Sequence, residues 1–296
     1  MNQKLLPPVR KVVIAGNSHQ RLHLEDICRL LAFLRERAIS VAIDRRFALY
    51  LRNNEVEVSD QEITECPPAD AGAAISIGGD GTFLRTARWI GRLGIPILGI
   101  NTGHLGFLAS YTPEESRELV DMLYDGNAEV EERMVLRVDV GDCRDVPELP
   151  YALNEVAILK EDTSSMINVN VEVNGNYLAD YLADGLLVST PTGSTGYSLS
   201  VGGPILFPGL EAICLSPIAP HTLTFRPCVV SGDDVVKART TTRASQYRLS
   251  LDGVSVLMDA GSEIVISKAD FITRVIRRPD DSFASTLRHK LLWGVR

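Results

Sequence analysis

The residues best suited to chemistry are residues 78–82, whose sequence is GGDGT. An apolar run of strand length, 73–77, precedes them, and residues 83–90 have helical spacing. The glycines are thus predicted to lie on a strand-to-helix turn, where exposed backbone N–H groups beside a helix N-terminus favour phosphate. The carboxylate of Asp80 does not help to hold phosphate. It is predicted to hold a metal ion or to accept a proton, the alternative being a turn or N-cap residue.

A second candidate is Asn154-Glu155, an amide and a carboxylate side by side in an otherwise apolar predicted strand. Neighbouring strand residues point to opposite faces, so both reach one ligand only at a strand end or a bulge. Together they donate and accept hydrogen bonds, which suits the hydroxyls of a sugar and the donors of a base. The alternative is the solvent face of an edge strand.

The third candidate is residues 183–204, with the sequence ADGLLVSTPTGSTGYSLSVGGP. A strand enters, a Pro-Thr-Gly-Ser-Thr loop follows, and a short helix capped by Ser194 or Thr195 is predicted. Small hydroxyl residues and glycines let a planar or phosphorylated ligand approach the backbone. Tyr197 offers a ring for stacking, and Asp184 offers a charge for a cationic ring or an amide. The alternative is a plain Gly/Ser turn between two strands.

Composition sets the class of protein. With 296 residues and 45% hydrophobic content, the chain is long enough for two domains with separate cores. A net charge of −8 argues against a general nucleic-acid surface. No apolar run reaches membrane-spanning length and no signal-peptide core opens the chain, so a cytoplasmic protein without membrane partners is expected. Five scattered cysteines without a CxxC pair indicate free thiols and argue against zinc.

The first half alternates short apolar strands with helical segments, which predicts an α/β domain with a mostly parallel sheet over residues 1–130. In such sheets ligands gather at the carboxyl ends of the strands. The loops 78–82 and 101–106 are therefore expected to share one rim. A capping-box pattern with proline at its first turn, residues 112–115, opens the next helix. No GxGxxG follows a predicted strand, so the ordinary dinucleotide fingerprint is absent.

After about residue 134 the pattern changes to alternating, strand-length segments. Asn174-Gly175 predicts a tight type I′ hairpin between two of them. These features predict an all-β, sandwich-like C-terminal domain over residues 131–276. The C-terminal tail, residues 277–296, is expected to pack back on the first domain.

Five segments, in this order and at this spacing, resemble those of the NAD kinases. They are residues 78–82, 153–155 (LNE), 184–204, 217–223 (PIAPHTL) and 226–227 (RP). The GGDG element is also found in diacylglycerol kinases, sphingosine kinases and phosphofructokinases. The Asn-Glu pair and the long run through STPTGST are specific to NAD kinases. The resemblance covers most of the chain.

The resemblance implies an enzyme that transfers the γ-phosphate of ATP to the 2′-hydroxyl of the adenosine ribose of NAD, giving NADP. NAD and ATP would be its substrates, with a divalent cation, Mg²⁺, brought by ATP as cofactor. It also implies an α/β domain and a β-rich domain with NAD in the cleft between them, assembled as a homodimer or homotetramer.

The resemblance also implies roles for individual residues. By match, Asp80 takes the place of the catalytic base, with Gly81 beside it and Arg85 near the phosphates. Asn154 and Glu155 match the residues that hold the ribose and adenine of NAD. Asp184 matches an acidic position near the nicotinamide. The loop around the adenine is matched by Thr192, Thr195, Gly196, Tyr197, Ser198, Leu199 and Ser200.

Two rival functions follow from the residues. A lipid kinase of the diacylglycerol or sphingosine type would share residues 78–82 and a β-rich second domain, but would not need Asn154-Glu155 or residues 190–200. A dinucleotide sensor without catalysis would be expected to lack the acidic residue at position 80, which is present here as Asp80.

Overall fold

The computed structural model describes residues 4–18, 23–103, 106–141, 150–161 and 165–293. The chain divides into two compact units, one of Met1–Glu132 with Thr273–Arg296 and one of Arg133–Ile272. Each unit has a hydrophobic core of its own. No helix in the described part of the chain is long and apolar enough to cross a membrane.

The first unit is built on a parallel sheet. The first strand of the unit, β1 (Lys4–Leu5), pairs antiparallel with residues 129–130. The strands of the parallel sheet are β2 (Lys11–Gly16), β3 (Ser40–Asp44), β4 (Ile63–Thr64), β5 (Ala73–Ile77) and β6 (Ile97–Ile100). The parallel pairs run in the order β6-β5-β2-β3-β4. Every residue of β5 is buried, as expected for a strand covered on both faces. The predicted parallel sheet is confirmed.

Helices alternate with these strands. They are α1 (Leu24–Glu36), α2 (Arg45–Asn53), α3 (Asp80–Ile90) and α4 (Ser116–Asp125). An apolar stripe at helical spacing, Ile27, Leu30, Leu31 and Leu34, buries one face of α1 in the core. Thr112 and Glu115 form the predicted capping box, in a 3₁₀ turn that leads directly into α4.

The second unit is antiparallel. Its elements begin with β7 (Glu129–Asp139), β8 (Tyr151–Ala152), β9 (Glu155–Lys160), β10 (Ile167–Val173), β11 (Asn176–Ala183), β12 (Gly185–Ser189) and the short helix α5 (Tyr197–Ser200). They continue with β13 (Ala212–Ile218), β14 (Cys228–Ser231), β15 (Val236–Thr241), β16 (Gln246–Leu251), β17 (Val254–Asp259) and β18 (Glu263–Arg277). One sheet has the order β14-β13-β12-β9-β16-β17, and β11, β10, β15 and β18 pair in the other.

Strands of both sheets contribute side chains to one core, among them Val156 of β9 and Val169 of β10. This is the predicted β-sandwich. At the hairpin between β10 and β11, Asn174 and Gly175 have φ angles of 51° and 76°. Positive φ at both central residues is the signature of a type I′ turn, so that prediction is confirmed.

The last part of the chain belongs to the first unit. Val275 of β18 pairs in parallel with Ile97 of β6, and α6 (Phe283–Leu291) follows. The Ser282 side chain caps α6 by accepting a hydrogen bond from the backbone N–H of Ser285. Four cysteines are free, Cys28, Cys66, Cys214 and Cys228, while Cys143 lies outside the described residues.

Candidate active site

The predicted strand-to-helix turn is present, since β5 ends at Ile77 and α3 begins at Asp80. Gly78 has a φ of 144°, which L side chains rarely adopt. Gly79 is the N-cap of α3, so the alternative that Asp80 is the cap is wrong. Apart from the neighbouring chain itself, no atom of the described residues lies within 4 Å of the place that a Cβ would take on Gly79 or Gly81. The turn therefore leaves open space at a helix N-terminus, where an anion is stabilised.

The carboxylate of Asp80 accepts hydrogen bonds from three consecutive backbone N–H groups. Phe107 N–H donates to Oδ2 over 2.9 Å, while Leu108 and Ala109 donate to Oδ1 over 3.1 and 3.0 Å. A carboxylate has about four lone-pair sites. Among the described residues, Oδ1 thus has both sites engaged, and Oδ2 keeps one for a further donor. This arrangement orients Asp80 and leaves one oxygen atom available for a substrate hydroxyl.

Two glycines allow the segment 107–109 to lie close to both Asp80 and β6. A Cβ on Gly106 would lie 1.8 Å from Asp80 Oδ1, and a Cβ on Gly99 of β6 would lie 2.7 Å from Ala109 Cα. The buried Asn101 fixes the same segment by donating from Nδ2 to the Ala109 carbonyl. The loop that follows β5 and the loop that follows β6 therefore meet at Asp80. The prediction that these two loops share one rim of the sheet is confirmed.

Arg85 is exposed and lies one turn along α3 from Gly81. Its guanidinium donates to the Thr82 hydroxyl over 3.2 Å. This contact keeps the positive charge near the start of α3, where it adds to the attraction for an anion.

In the second unit, β9 begins at Glu155 directly after Asn154, so the pair lies at a strand end, one of the two places where both side chains can reach one ligand. β9 pairs with β12 on one side and β16 on the other, so the edge-strand alternative is wrong. Asp252 holds the strand end, because its carboxylate accepts from the backbone N–H groups of Leu153, Asn154 and Glu155 over 2.7, 2.9 and 3.1 Å. These bonds fix the backbone that carries the Asn154 and Glu155 side chains.

The ends of these two side chains carry unused hydrogen-bonding capacity. Asn154 Oδ1 and Glu155 Oε2 are buried and have no hydrogen-bond partner in the part of the chain that the structure describes. Buried polar atoms are nearly always paired, so both atoms indicate a ligand or an ordered water. Burial, and then the charge of Asp252, raise the pKa of Glu155 to about 7. Near neutral pH this carboxyl group can therefore both donate and accept.

The segment after β12 packs against this pair. A Cβ on Gly193 would lie 2.1 Å from the Asn154 carbonyl oxygen, so only glycine fits there. A Cβ on Gly196 would lie 3.4 Å from both Asn154 Nδ2 and Glu155 Oε2. Thr192 is buried, and its hydroxyl accepts from the guanidinium of buried Arg133. Gly196 is thus the loop residue that faces the two candidate binding side chains.

The short helix in this segment is not capped as predicted. α5 begins at Tyr197 after Gly196, with no side-chain cap. The Ser194 hydroxyl instead donates to the Pro191 carbonyl and accepts from Leu206 N–H, while Thr195 Oγ1 donates to the Thr192 carbonyl. Both hydroxyls satisfy the preceding turn, so neither is available to α5.

The remaining loop residues differ in accessibility. Tyr197 is 41% exposed and Ser200 is exposed, so both can meet a ligand. Leu199 is half-buried. Ser198 is fully buried, with its hydroxyl 3.2 Å from that of Ser216, which leaves its hydroxyl inside the protein.

Asp184 does not join Asn154 and Glu155 within this chain. It directly precedes β12, whose other end, Ser189, pairs with Glu155. Five residues of strand separate the two ends, which corresponds to about 17 Å. The Asp184 carboxylate accepts from Lys160 Nζ over 2.6 Å.

Comparison with known proteins identifies the family. The model of the ATP-NAD kinase N-terminal domain matches residues 14–128, and that of the ATP-NAD kinase C-terminal domain matches residues 153–278. An NAD kinase of Bacteroides fragilis is 41% identical over 285 residues, which cover 96% of this chain and 98% of the relative. An NAD kinase of Porphyromonas gingivalis is 42% identical over 287 residues, covering 97% and 99%.

The chain belongs to the NAD kinase family. The predicted enzyme class, a phosphotransferase with an alcohol group as acceptor, is confirmed. The relatives give no support to the lipid-kinase alternative.

Solved structures of similar fold include two kinases of NAD or NADH. An NAD kinase from Archaeoglobus fulgidus in complex with ATP superposes with a TM-score of 0.69 at 28% identity, covering 96% of this chain and 97% of that chain. Yeast NADH kinase complexed with NADH superposes with a TM-score of 0.85, covering 100% and 92%. Its identity of 23% supports the fold alone.

Sequence reasoning missed two groups that hold candidate site residues. The first is Asp252, which lies with Gly253 between two alternating, strand-length segments and was passed over as a turn residue. The second is the set of three N–H groups at residues 107–109. Backbone donors leave no trace in residue type, although Gly106 beside them was a signal of close approach.

Gly106→Ala is expected to displace the Asp80 carboxylate, because the new Cβ would lie 1.8 Å from Oδ1. A misplacement of about 1 Å lowers turnover by about 100-fold. Steady-state NADP formation measures the loss. Gly103→Ala is the matched control, since among the described residues its Cβ would approach only Asn101 Oδ1, at 3.7 Å, and it should keep at least about half of the wild-type turnover. Equal turnover in both variants would contradict the importance of this close approach.

Glu155→Gln is expected to change how stability depends on pH. Since the pKa of Glu155 is raised from 4.5 to about 7, the stabilisation from its protonated form is full below about pH 4.5 and is lost as pH rises through about 7. Between pH 5 and 8 the wild type should lose free energy of unfolding relative to Glu155→Gln, on the order of 3 kcal/mol in full.

Denaturant unfolding at several pH values measures this difference. If the free energy of unfolding depends on pH in the same way in the wild type and in Glu155→Gln, Glu155 titrates in the folded protein as it does in the unfolded chain, and the prediction is wrong.

Proposed function

We propose that this NAD kinase transfers the γ-phosphate of ATP to the 2′-hydroxyl of the adenosine ribose of NAD, and that Asp80 is the base. The bond between the ribose 2′-oxygen and the γ-phosphorus forms. The bond from that phosphorus to the β–γ bridging oxygen breaks, which releases ADP. The hydroxyl proton passes to Asp80.

The observation that carries this proposal is the pattern of hydrogen bonds that the Asp80 carboxylate accepts. Three N–H groups orient it beside a glycine turn that is open at a helix N-terminus, and Oδ2 retains a lone pair. Phosphoryl transfer has a loose transition state, so catalysis is chiefly alignment and charge neutralisation. A carboxylate with one free, fixed acceptor site can orient the attacking hydroxyl and take its proton late in the transfer.

Asn154 and Glu155 are proposed to hold the ribose and adenine of NAD. Their unpartnered atoms, Asn154 Oδ1 and Glu155 Oε2, can accept hydrogen bonds from hydroxyl or amino groups. Gly196 lies beside both and leaves room for a flat base, while the exposed ring of Tyr197 is available for stacking. The assignments of Gly81 and Arg85 to the phosphates, and of Asp184 to the nicotinamide, remain proposals from the family resemblance.

The divalent cation is proposed to enter with ATP. Among the described residues, no group of three or more His, Cys, Asp or Glu side chains is arranged to hold a metal. Backbone N–H groups occupy both lone-pair sites of Asp80 Oδ1 and one lone-pair site of Oδ2. The Asp80 carboxylate can therefore supply at most one ligand to a metal ion. Magnesium held mainly by phosphate oxygens fits this donor set and would neutralise the charge of the triphosphate.

The family resemblance supports the proposal of a homodimer or homotetramer. The composition of the chain supports the proposal of a cytoplasmic protein without nucleic-acid or membrane partners. The net charge of −8 agrees with the absence of a nucleic-acid partner.

The direct test supplies purified protein with Mg²⁺, ATP and NAD, and in parallel with diacylglycerol, sphingosine or fructose 6-phosphate as acceptor. NADP is expected as the only phosphorylated product, quantified by a coupled NADP-specific dehydrogenase. A phosphorylated lipid, or NAD binding without product, would overturn the proposed function.

Asp80→Asn is expected to fold and to lose turnover by about 10²–10⁴-fold, the usual contribution of general acid–base catalysis. Rapid-quench measurement of NADP formation gives the rate, and NAD binding gives a check on the fold. Asp125→Asn, an exposed change at the end of α4 in the same unit, is the control and should leave turnover unchanged. Near-normal turnover of Asp80→Asn would show that Asp80 is not the base.

A further inference from the structure

The segment that binds Asp80 is itself held by the C-terminal part of the chain. We call residues 106–111 the Asp80 loop. The guanidinium of Arg277, the last residue of β18, donates from Nη1 to the Ser110 hydroxyl over 2.6 Å and from Nη2 to the Phe107 carbonyl over 3.3 Å. Phe107 is thus bonded to Arg277 through its carbonyl and to Asp80 through its N–H.

Further contacts fix the same loop to the tail. The Tyr111 hydroxyl donates to the Asp281 carboxylate and accepts from the backbone N–H of Arg278. The rings of Phe107 and Phe283 lie with centroids 6.5 Å apart. The Asp80 loop is therefore held at both of its ends by residues that follow β18.

Arg277 is well placed to act as a rigid support. β18 is anchored to the parallel sheet through the pairing of Val275 with Ile97. The Arg277 side chain is only 12% exposed and its Nε lies 3.6 Å from Glu131 Oε2, so all three guanidinium nitrogen atoms are engaged. A planar, fixed fork of donors of this kind holds a backbone in place with little freedom.

We propose that Arg277 is a positioning residue for phosphoryl transfer, which orients the Asp80 carboxylate through the backbone of the Asp80 loop. The proposal rests on the proposed function of Asp80 as base. Lysine at this position keeps the charge but has a single donor nitrogen, so it cannot bind Ser110 and Phe107 as the fork does. The loop would then hold Asp80 less accurately, and the alignment needed for transfer would be lost.

The test is steady-state kinetics of Arg277→Lys and Ser110→Ala. For Arg277→Lys, kcat should fall by about 10- to 100-fold, while KM for NAD and for ATP changes by less than about twofold, because ground-state binding is retained. Ser110→Ala removes one acceptor of the fork and should lower kcat in the same way but less. Arg274→Lys is the matched control: Arg274 is on the same strand and also donates to a backbone carbonyl, that of Gly94, so its kcat should be unchanged.

A double variant shows whether Arg277 acts through Asp80. In an Asp80→Asn background, Arg277→Lys should cause no further loss of kcat, since two residues that act as a unit are not additive. Losses that multiply, an unchanged kcat in Arg277→Lys, or a raised KM for ATP at normal kcat would each overturn the proposal. Failure of the proposed function gives a different result, namely a wild type that makes no NADP or an active Asp80→Asn.

Hydrogen exchange provides a readout that does not depend on activity. The amides of Phe107, Leu108 and Ala109 should exchange faster in Arg277→Lys and Ser110→Ala than in the wild type and Arg274→Lys. If Arg277→Lys does not fold, the kcat and the hydrogen exchange of Ser110→Ala test the proposal instead. Wild-type kcat together with wild-type exchange in that variant would overturn the proposal.

Discussion

The candidate active site depends on the three hydrogen bonds that the Asp80 carboxylate accepts from residues 107–109. They join the turn after β5 to the loop after β6, and so fix the one acidic group of the glycine turn. The three bonds are uneven, two to Oδ1 and one to Oδ2. This unevenness leaves a defined acceptor on a carboxylate that is otherwise immobile, which is what alignment of a hydroxyl group requires.

In the second unit, an aspartate likewise accepts hydrogen bonds from three consecutive backbone N–H groups beside the candidate binding residues. Asp252 accepts from the N–H groups of residues 153–155, and the chain presents Asn154 and Glu155 at that point. The negative charge of Asp252 has a second effect, since with burial it raises the pKa of Glu155 to about 7. One aspartate thus sets both the position and the protonation of a candidate binding group.

Glycine makes both arrangements sterically possible. At Gly106 and Gly193 a Cβ would overlap Asp80 Oδ1 and the Asn154 carbonyl oxygen, at 1.8 and 2.1 Å. At Gly79 and Gly81, no atom of the described residues outside the neighbouring chain lies within 4 Å of such a Cβ. The first pair of glycines permits contact within the protein, and the second leaves open space at a helix N-terminus. Glycines of similar appearance in sequence therefore serve opposite purposes.

The sequence by itself determined the local features: the GGDGT turn, the capping box before α4 and the Asn174-Gly175 turn. These depend on residues a few positions apart, and the family motifs added the enzyme class. Only the tertiary structure decided what holds Asp80 and Asn154-Glu155, because those partners lie 27 to 29 and 97 to 99 residues away. It also separated Asp184 from Glu155, which sit at opposite ends of β12. Such contacts follow from strand order and register, and these arise from packing of the whole domain and not from any short pattern.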